Sequence, residues 1–279
     1  MAPSVSTILT TFNQPHTLRL VLLALARQSQ LPDEVIIADD GSAPPTLDAL
    51  RRLAPDLPFP LIHVFQPDQG FRAARSRNNA IHHSRSELLT FLDQDTLPRA
   101  DWLATYARYT ASGRFGIGRI LDLPPDPAQS LTPQQIADGT FESLCSTRQY
   151  RDLIRRHRKF CIYALLRRAG VGIKTKPKLR SCNFAAFRVD LLQVNGFDEE
   201  FHGWGQEDDD LGRRLFAVGV HPTVLLRHAV AFHIPHPPRR TTDWEHGRNI
   251  TLLTDRSRAA YCRQGLDQHP HPDVVVTAL

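Results

Sequence analysis

The first hundred residues alternate in a way that leaves few folds open. Short β-rich apolar runs recur between stretches with helical spacing, and two of the runs end in acids. Residues 5–10 form the first run, which stops at Asn13-Gln14-Pro15. Leu18, Leu22, Leu25 and Ala26 then recur at helical spacing as far as Gln30. Residues 34–38 form a second run, stopped by Asp39-Asp40-Gly41-Ser42. A helix over 46–53, a strand over 61–65, a helix over 71–83 and a strand over 88–92 continue the series. Strands joined by helices of this length imply right-handed crossovers and a parallel sheet. The expected class is α/β, with a mostly parallel central sheet flanked by helices. In such sheets ligands bind beyond the carboxyl ends of the strands, where Asp39-Asp40 and Asp93-Gln94-Asp95 stand.

After residue 122 the pattern changes. Leu123-Pro124-Pro125-Asp126-Pro127 reads as a linker. A basic stretch follows, helical over 150–168 and a loop over 174–178. Residues 148–180 hold 12 Lys+Arg and one acid, Asp152. That segment carries +11, so subtracting it from the chain's +5 leaves −6 for the remainder. An acidic body with one basic insert argues against coating nucleic acid and points to a local anionic partner. Regular patterning resumes at 182–187, with a helix from Glu207 to Gly219 and strands over 224–226 and 229–232. No apolar run approaches the roughly 18 residues of a membrane span. The N-terminus lacks the basic and apolar regions of a signal peptide. Cys145, Cys161, Cys182 and Cys262 form no CxxC pair. Free thiols of this kind suit a cytoplasmic protein.

Four segments carry candidate chemistry. Asp93 and Asp95, one residue apart past a buried strand, suit a hard divalent cation shared with substrate phosphates. A solvated turn with an Asp cap is the plainer alternative. Glu207-Asp208-Asp209-Asp210 starts a helix, and four acids exceed what capping needs. Their mutual repulsion can raise one pKa and suit it to act as a base. Trp204, between Gly203 and Gly205, offers a ring face for a sugar; an acidic cap plus a core tryptophan is the plainer reading. His233 and His236 near a strand end could complete a metal shell. Gly70 ahead of a helix with Arg72, Arg75 and Arg77 suits a nucleotide's phosphates, or is an exposed basic face.

The order of these parts, together with Val194-Asn195-Gly196-Phe197-Asp198 ahead of Gly203-Trp204-Gly205-Gln206-Glu207-Asp208-Asp209, resembles the inverting family-two glycosyltransferases of the GT-A fold. The second half is similar to β-1,4-galactosyltransferase and chondroitin-polymerase type enzymes. The resemblance covers residues 3–240, setting aside 124–180. It implies a Rossmann-like nucleotide-diphospho-sugar transferase fold with a nucleotide-sugar-binding half at 1–122. A basic insert at 123–180, an acceptor-binding and catalytic half at 181–240, and a C-terminal helix and tail at 241–279 would complete the chain. Thr10, Thr11 and Phe12 would lie beside the nucleotide, Asp39 with Asp40 would bind uracil, and Arg77 or Arg72 would face the nucleotide. Asp93 and Asp95 would form the Asp-x-Asp site. Asp95 would be the direct ligand of Mn²⁺ or Mg²⁺, His236 a late ligand and His233 a further one. Trp204, Gly205 and Asp209 would meet the acceptor, Glu207 and Asp208 its hydroxyl, with Asp208 the base.

The implied reaction moves a hexose or N-acetylhexosamine from a UDP-sugar to a carbohydrate or glycolipid acceptor, in bacterial lipopolysaccharide or surface polysaccharide synthesis. The basic insert would lie on an anionic membrane at the inner face or grip an anionic acceptor. A nucleotidyltransferase acting on sugar phosphates is the rival enzyme. It wants a glycine-rich phosphate loop after the first strand, and residues 10–15 offer none. A non-catalytic nucleotide-sugar or anionic-ligand binder is the rival outside catalysis.

Overall fold

The computed structural model describes residues 2–169, 171, 178–236 and 243–279. It opens with β1 (Val5–Thr11), α1 (Pro15–Ala26), β2 (Glu34–Asp39), α2 (Pro44–Leu53), β3 (Leu61–Phe65), α3 (Ala73–His83) and β4 (Leu88–Asp93). This is the alternation read from the sequence. Helix α1 stops short of Gln30 because Gln28 turns inward, its amide donating to the carbonyls of Ala24 and Arg99. Next come β5 (Thr96–Pro98), α4 (Trp102–Tyr109), β6 (Arg114–Ile117) and β7 (Arg119–Asp122). Three- and four-residue strands are too short for periodicity to reveal.

The chain continues through α5 (Pro125–Gln129), α6 (Pro133–Asp138), α7 (Thr147–Arg168), β8 (Asn183–Phe187), α8 (Arg188–Leu192), α9 (Glu207–Ala217), β9 (His221–Val224), β10 (Val230–His233), α10 (Asp243–Thr254) and β11 (Val275–Ala278). The proline-rich stretch is no linker: Pro125 opens α5, and Leu123, Ile136 and Phe141 join the core. Proline's fixed φ serves a first helical turn as well as a loop. Phe141 meets Phe232 edge-on at 5.5 Å, and Arg27 covers its ring while pairing with Glu142 at 2.7 Å. The expected strand at 224–226 ends at Val224, and Leu225 and Leu226 are buried in the following turn. The basic helix forms as α7; the expected loop at 174–177 lies outside the described residues.

One sheet runs in the order β11-β3-β2-β1-β4-β8-β6-β9, and a smaller one in the order β5-β10-β7. Strands β3, β2, β1 and β4 are parallel, as are β6 and β9, while β8 and β11 join antiparallel. Val5, Ile8, Leu9, Val35, Ile36, Ile37, Leu88, Leu89, Phe91 and Leu92 are all fully buried. Strands covered on both faces read as continuous apolar runs, which is why they were legible. Their parallel direction brings the polar tips of β1, β2 and β4 to one edge.

Candidate active site

Register decides what meets at that edge. Thr11 lies opposite Asp39, and Thr10 opposite Asp93. Antiparallel pairing of β8 sets Asn183 beside Leu92, bringing Cys182 to the same end. Strand β10 pairs with β5, His233 opposite Thr96, and the Ile234 N–H donates to the Asp95 carbonyl at 2.8 Å. The result is a cavity of about 500 Å³ whose lining includes Thr10, Thr11, Phe12, Asp40, Arg77, Asp93, Asp95, Trp204, His233 and His236. Gln94, which sequence reading passed over, fastens the two central tips. Its Oε1 accepts from the Thr11 hydroxyl at 2.7 Å and the Phe12 N–H at 2.8 Å.

Asp95 Oδ2 stands 3.2 Å from His236 Nε2, and His233 Nδ1 stands 3.1 Å from Asp122 Oδ1. One ligand atom from each of Asp95, His233 and His236 lies within 4.8 Å of the others. A carboxylate oxygen with two imidazole nitrogens suits a first-row divalent ion better than Mg²⁺, which prefers an all-oxygen shell. Asp93 is placed differently. Its Oδ1 accepts from Arg77 Nη2 at 3.1 Å, and burial raises its pKa against the pull of Arg77, with Asp95 adding to the rise.

Arg77 is buried where α3 crosses the strand tips. Its guanidinium donates to Thr10 Oγ1 at 3.2 Å, Glu207 Oε1 at 3.0 Å and Asp93, and lies 5.4 Å from the Phe197 ring centre. Burial opposes its charge, but the carboxylates of Asp93, Glu207 and Asp208 outweigh that and hold its pKa above the ordinary value. The acidic run at α9 is thereby sorted. Glu207 is matched by Arg77, Asp209 by Lys178, and Asp210 by Arg214 Nε at 2.6 Å. Among the described residues Asp208 makes no ion pair, although Arg77 attracts it at longer range; its Oδ1 accepts the Asp209 N–H at 2.7 Å. Burial, then repulsion from Glu207 and Asp209, pushes its carboxyl up to about 7. Cys182 nearby is kept a thiol, its pKa well above ordinary through burial and the charges of Asp93 and Asp208.

At β2 the two acids divide. Asp39 turns away from the cavity: Oδ2 lies 2.8 Å from His63 Nε2, and Oδ1 accepts the Ser42 N–H at 2.8 Å. Asp40 lines the cavity, taking hydrogen bonds from Gln66 Nε2 at 2.6 Å and the Arg72 N–H at 2.8 Å, and burial lifts its pKa to about 6. The Arg72 guanidinium donates to Gln69 Oε1 and the Pro67 carbonyl. It thus braces the loop that approaches Gly41, whose φ of +95° no side chain fits easily and whose missing Cβ would fall 2.5 Å from Asp68 Cα.

Trp204 is 56% exposed and borders the cavity. Gly203 and Gly205 flank it at φ of +73° and +94°, and Gln206 follows at +80°. The loop is nonetheless fastened. Gly203 N–H donates to Phe71 O at 3.0 Å, while Asn249 Nδ2 on α10 donates to the carbonyls of His202 at 2.8 Å and Gly205 at 3.0 Å. Sequence carried no signal for Asn249, because its role exists only once α10 packs beside α9.

Two family models divide the chain between them. Residues 6–168 match the model described as glycosyl transferase family 2, and residues 173–237 the one described as N-terminal domain of galactosyltransferase. This chain belongs to glycosyltransferase family 2. The first match runs through 124–168, which the sequence resemblance set aside. A validoxylamine A glucosyltransferase of Streptomyces hygroscopicus subsp. limoneus is 28% identical over 90% of this chain and 54% of its own length. The hyaluronan synthase of Pasteurella multocida is 27% identical over 92% of this chain and 27% of its own. The chain thus spans about half or less of these relatives. A Pyrobaculum calidifontis mannosyltransferase, solved with GDP-Man and Mn²⁺, superposes with a TM-score of 0.56 at 20% identity, covering 91% of this chain and 62% of that one. TarS 1–349 of S. aureus, solved with UDP, gives 0.57 at 15% identity, over 90% and 64% of the two chains. The GT-A fold is shared with both.

Proposed function

We propose that this family-two glycosyltransferase is a metal-dependent inverting enzyme that moves a hexose or N-acetylhexosamine from a UDP-sugar to a carbohydrate hydroxyl. The observation that carries the reading is the sorting of acids about Arg77 and the cavity it lines: Asp93 and Asp95 line that cavity too, while Glu207 and Asp208 reach it through Arg77. Asp95 faces two imidazoles, Asp93 and Glu207 are held by Arg77, and Asp208, which makes no ion pair among the described residues, has its carboxyl raised to about 7. A divalent cation held by Asp95, His236 and His233, with Mn²⁺ the best match, would neutralise charge on the diphosphate leaving group.

The chain's own residues do the rest. Thr10, Phe12 and Asp40 border the nucleotide, with Asp40 offering an acceptor to the base while Asp39 holds the tip of β2 in shape. Trp204 stacks on the sugar, and Gly205 and Asp209 border the acceptor. Asp208 takes the proton of the acceptor hydroxyl as its oxygen attacks the anomeric carbon from the face opposite the diphosphate. One displacement inverts the configuration. Arg77 holds Glu207 and Asp93 in place, so it acts as a positioning residue. The halves at 1–122 and 181–240 supply the nucleotide and acceptor sides.

The setting we infer is bacterial lipopolysaccharide or surface polysaccharide synthesis at the inner face of the membrane. No helix among the described residues is long and apolar enough to cross a membrane. Helix α7 exposes Ile154, Ile162, Leu165 and Leu166 beside Arg155, Arg158 and Lys159, a composition suited to an anionic lipid surface. UDP release across a panel of UDP-sugars, with and without Mn²⁺ and acceptor, tests the chemistry. Mn²⁺-dependent release supports it, and equal turnover after chelation refutes it.

A further inference from the structure

A second set of metal-ligating side chains lies away from the cavity. Glu199 precedes the Trp204 loop, and His269 and His271 belong to the segment that leads into β11. Glu199 Oε1 accepts from Asn78 Nδ2 at 2.8 Å and stands 2.6 Å from His269 Nε2. Its other oxygen, Oε2, stands 3.6 Å from His271 Nε2. One ligand atom from each residue lies within 4.8 Å of the others. The His269 and His271 rings meet edge-on at 4.3 Å, and the His269 side chain is 0% exposed.

Hydrogen bonding alone leaves this cluster incomplete. His271 Nε2 is buried with no hydrogen-bond partner. Buried polar atoms of native proteins are nearly always paired, so an unmatched nitrogen aimed at a carboxylate oxygen needs a reason. Two ligands about 2.1 Å from one tetrahedral ion stand roughly 3.4 Å apart, close to the Glu199–His271 separation. The Glu199–His269 pair is tighter, and a cation would part it by about 1 Å. The ion takes the Nε2 lone pair of the His269 tautomer that is protonated at Nδ1.

The surroundings are built to hold the three ligands. The Glu199 N–H donates to Gln264 O at 2.9 Å. The Asp267 N–H donates to Asn195 Oδ1 at 2.8 Å, and Arg75 pairs with Asp273 at 2.5 Å. Together these tie the 264–273 segment to the loop of Glu199 and to α3.

We propose that Glu199, His269 and His271 form a structural site for a divalent transition-metal ion, Zn²⁺ being the best match, which fastens the segment before β11 to the loop leading to Trp204. Two imidazoles and one carboxylate make a borderline donor set typical of zinc. The role is structural because the three ligands join two separate segments of the chain and none of them lines the cavity.

The test uses the full chain, stripped with a chelator and titrated with Zn²⁺ against a competing chromophoric chelator. An Asp95→Ala, His236→Ala double variant removes the cavity cluster first. It is expected to retain one equivalent of zinc and to show a zinc-dependent rise in Tm. Adding His271→Ala should abolish both, and His271→Gln should do the same while matching the parent's Tm without zinc. Tetrahedral visible absorption with Co²⁺, lost in the His271 variants, would place the ion. A double variant that binds no zinc at micromolar free metal, or a His271 variant that binds as much as its parent, overturns the proposal.

Discussion

The chain's two histidine–carboxylate clusters use the same donor types in opposite settings. Asp95, His233 and His236 border a cavity of about 500 Å³, and His236 is 40% exposed. Glu199, His269 and His271 have side chains only 9%, 0% and 21% exposed and line no part of that cavity. Ligand identity does not separate the two; access does. A metal that works on substrate needs a coordination position open to it, whereas a metal that only holds structure is enclosed. Each cluster also owes its assembly to a strand pairing. Strand β10 against β5 makes the first, and β11 against β3 delivers the segment that makes the second.

The largest effect expected from any single change lies at the start of α9, whose Glu207 pairs with Arg77 in the cavity lining. Asp208→Asn should lower kcat by about 10³-fold, within the usual range for a general base, while both clusters still bind metal. Steady-state UDP release and metal titration of the variant check this. Concurrent metal loss would make Asp208 part of the open cluster and redraw the comparison. Asp95→Ala comes next, with about a 10²-fold loss of turnover and no Mn²⁺ response, but little change in Tm. His271→Ala should show the reverse: Tm lower in zinc, turnover largely kept. If both variants lost the same property, the division into working and holding clusters would fail.

Asp208 also sharpens the contrast through pH. Its carboxyl is raised from 3.8 to about 7, chiefly by burial, so the folded state holds a proton that the unfolded chain has released between those values. Stability conferred by the neutral carboxyl is then lost as pH rises from about 4 to about 7. Relative to Asp208→Asn, the parent's Tm should fall by a few degrees over that window. Turnover should rise over the upper part of it, as the base form appears. Thermal unfolding at a series of pH values reads the first, and a pH–rate profile the second. The smallest effect belongs to Asn249→Ala, which frees the Trp204 loop. Acceptor KM should rise about two- to tenfold, the worth of one or two hydrogen bonds, with kcat less affected.

Much of this molecule was legible before its structure. Uninterrupted apolar runs at 34–38 and 88–92 announced strands buried on both faces, and the acids that end them announced a binding edge. The Asp-x-Asp tip, the run at 207–210 and the two late histidines were all visible as candidates. What stayed hidden was the partner of each. Nothing local says that Glu207 meets Arg77, 130 positions away, or that Asp39 turns to His63 and leaves Asp40 to the cavity. Gln94 looked neutral between two acids, and Glu199, His269 and His271 drew no notice.

By itself the sequence determined which segments are buried and which ends are polar, because burial is written in local periodicity. Only the tertiary structure decided which of four neighbouring acids makes no ion pair among the described residues. That choice depends on where Arg77, Lys178 and Arg214 arrive, and strand register and helix packing bring them there from distant parts of the chain.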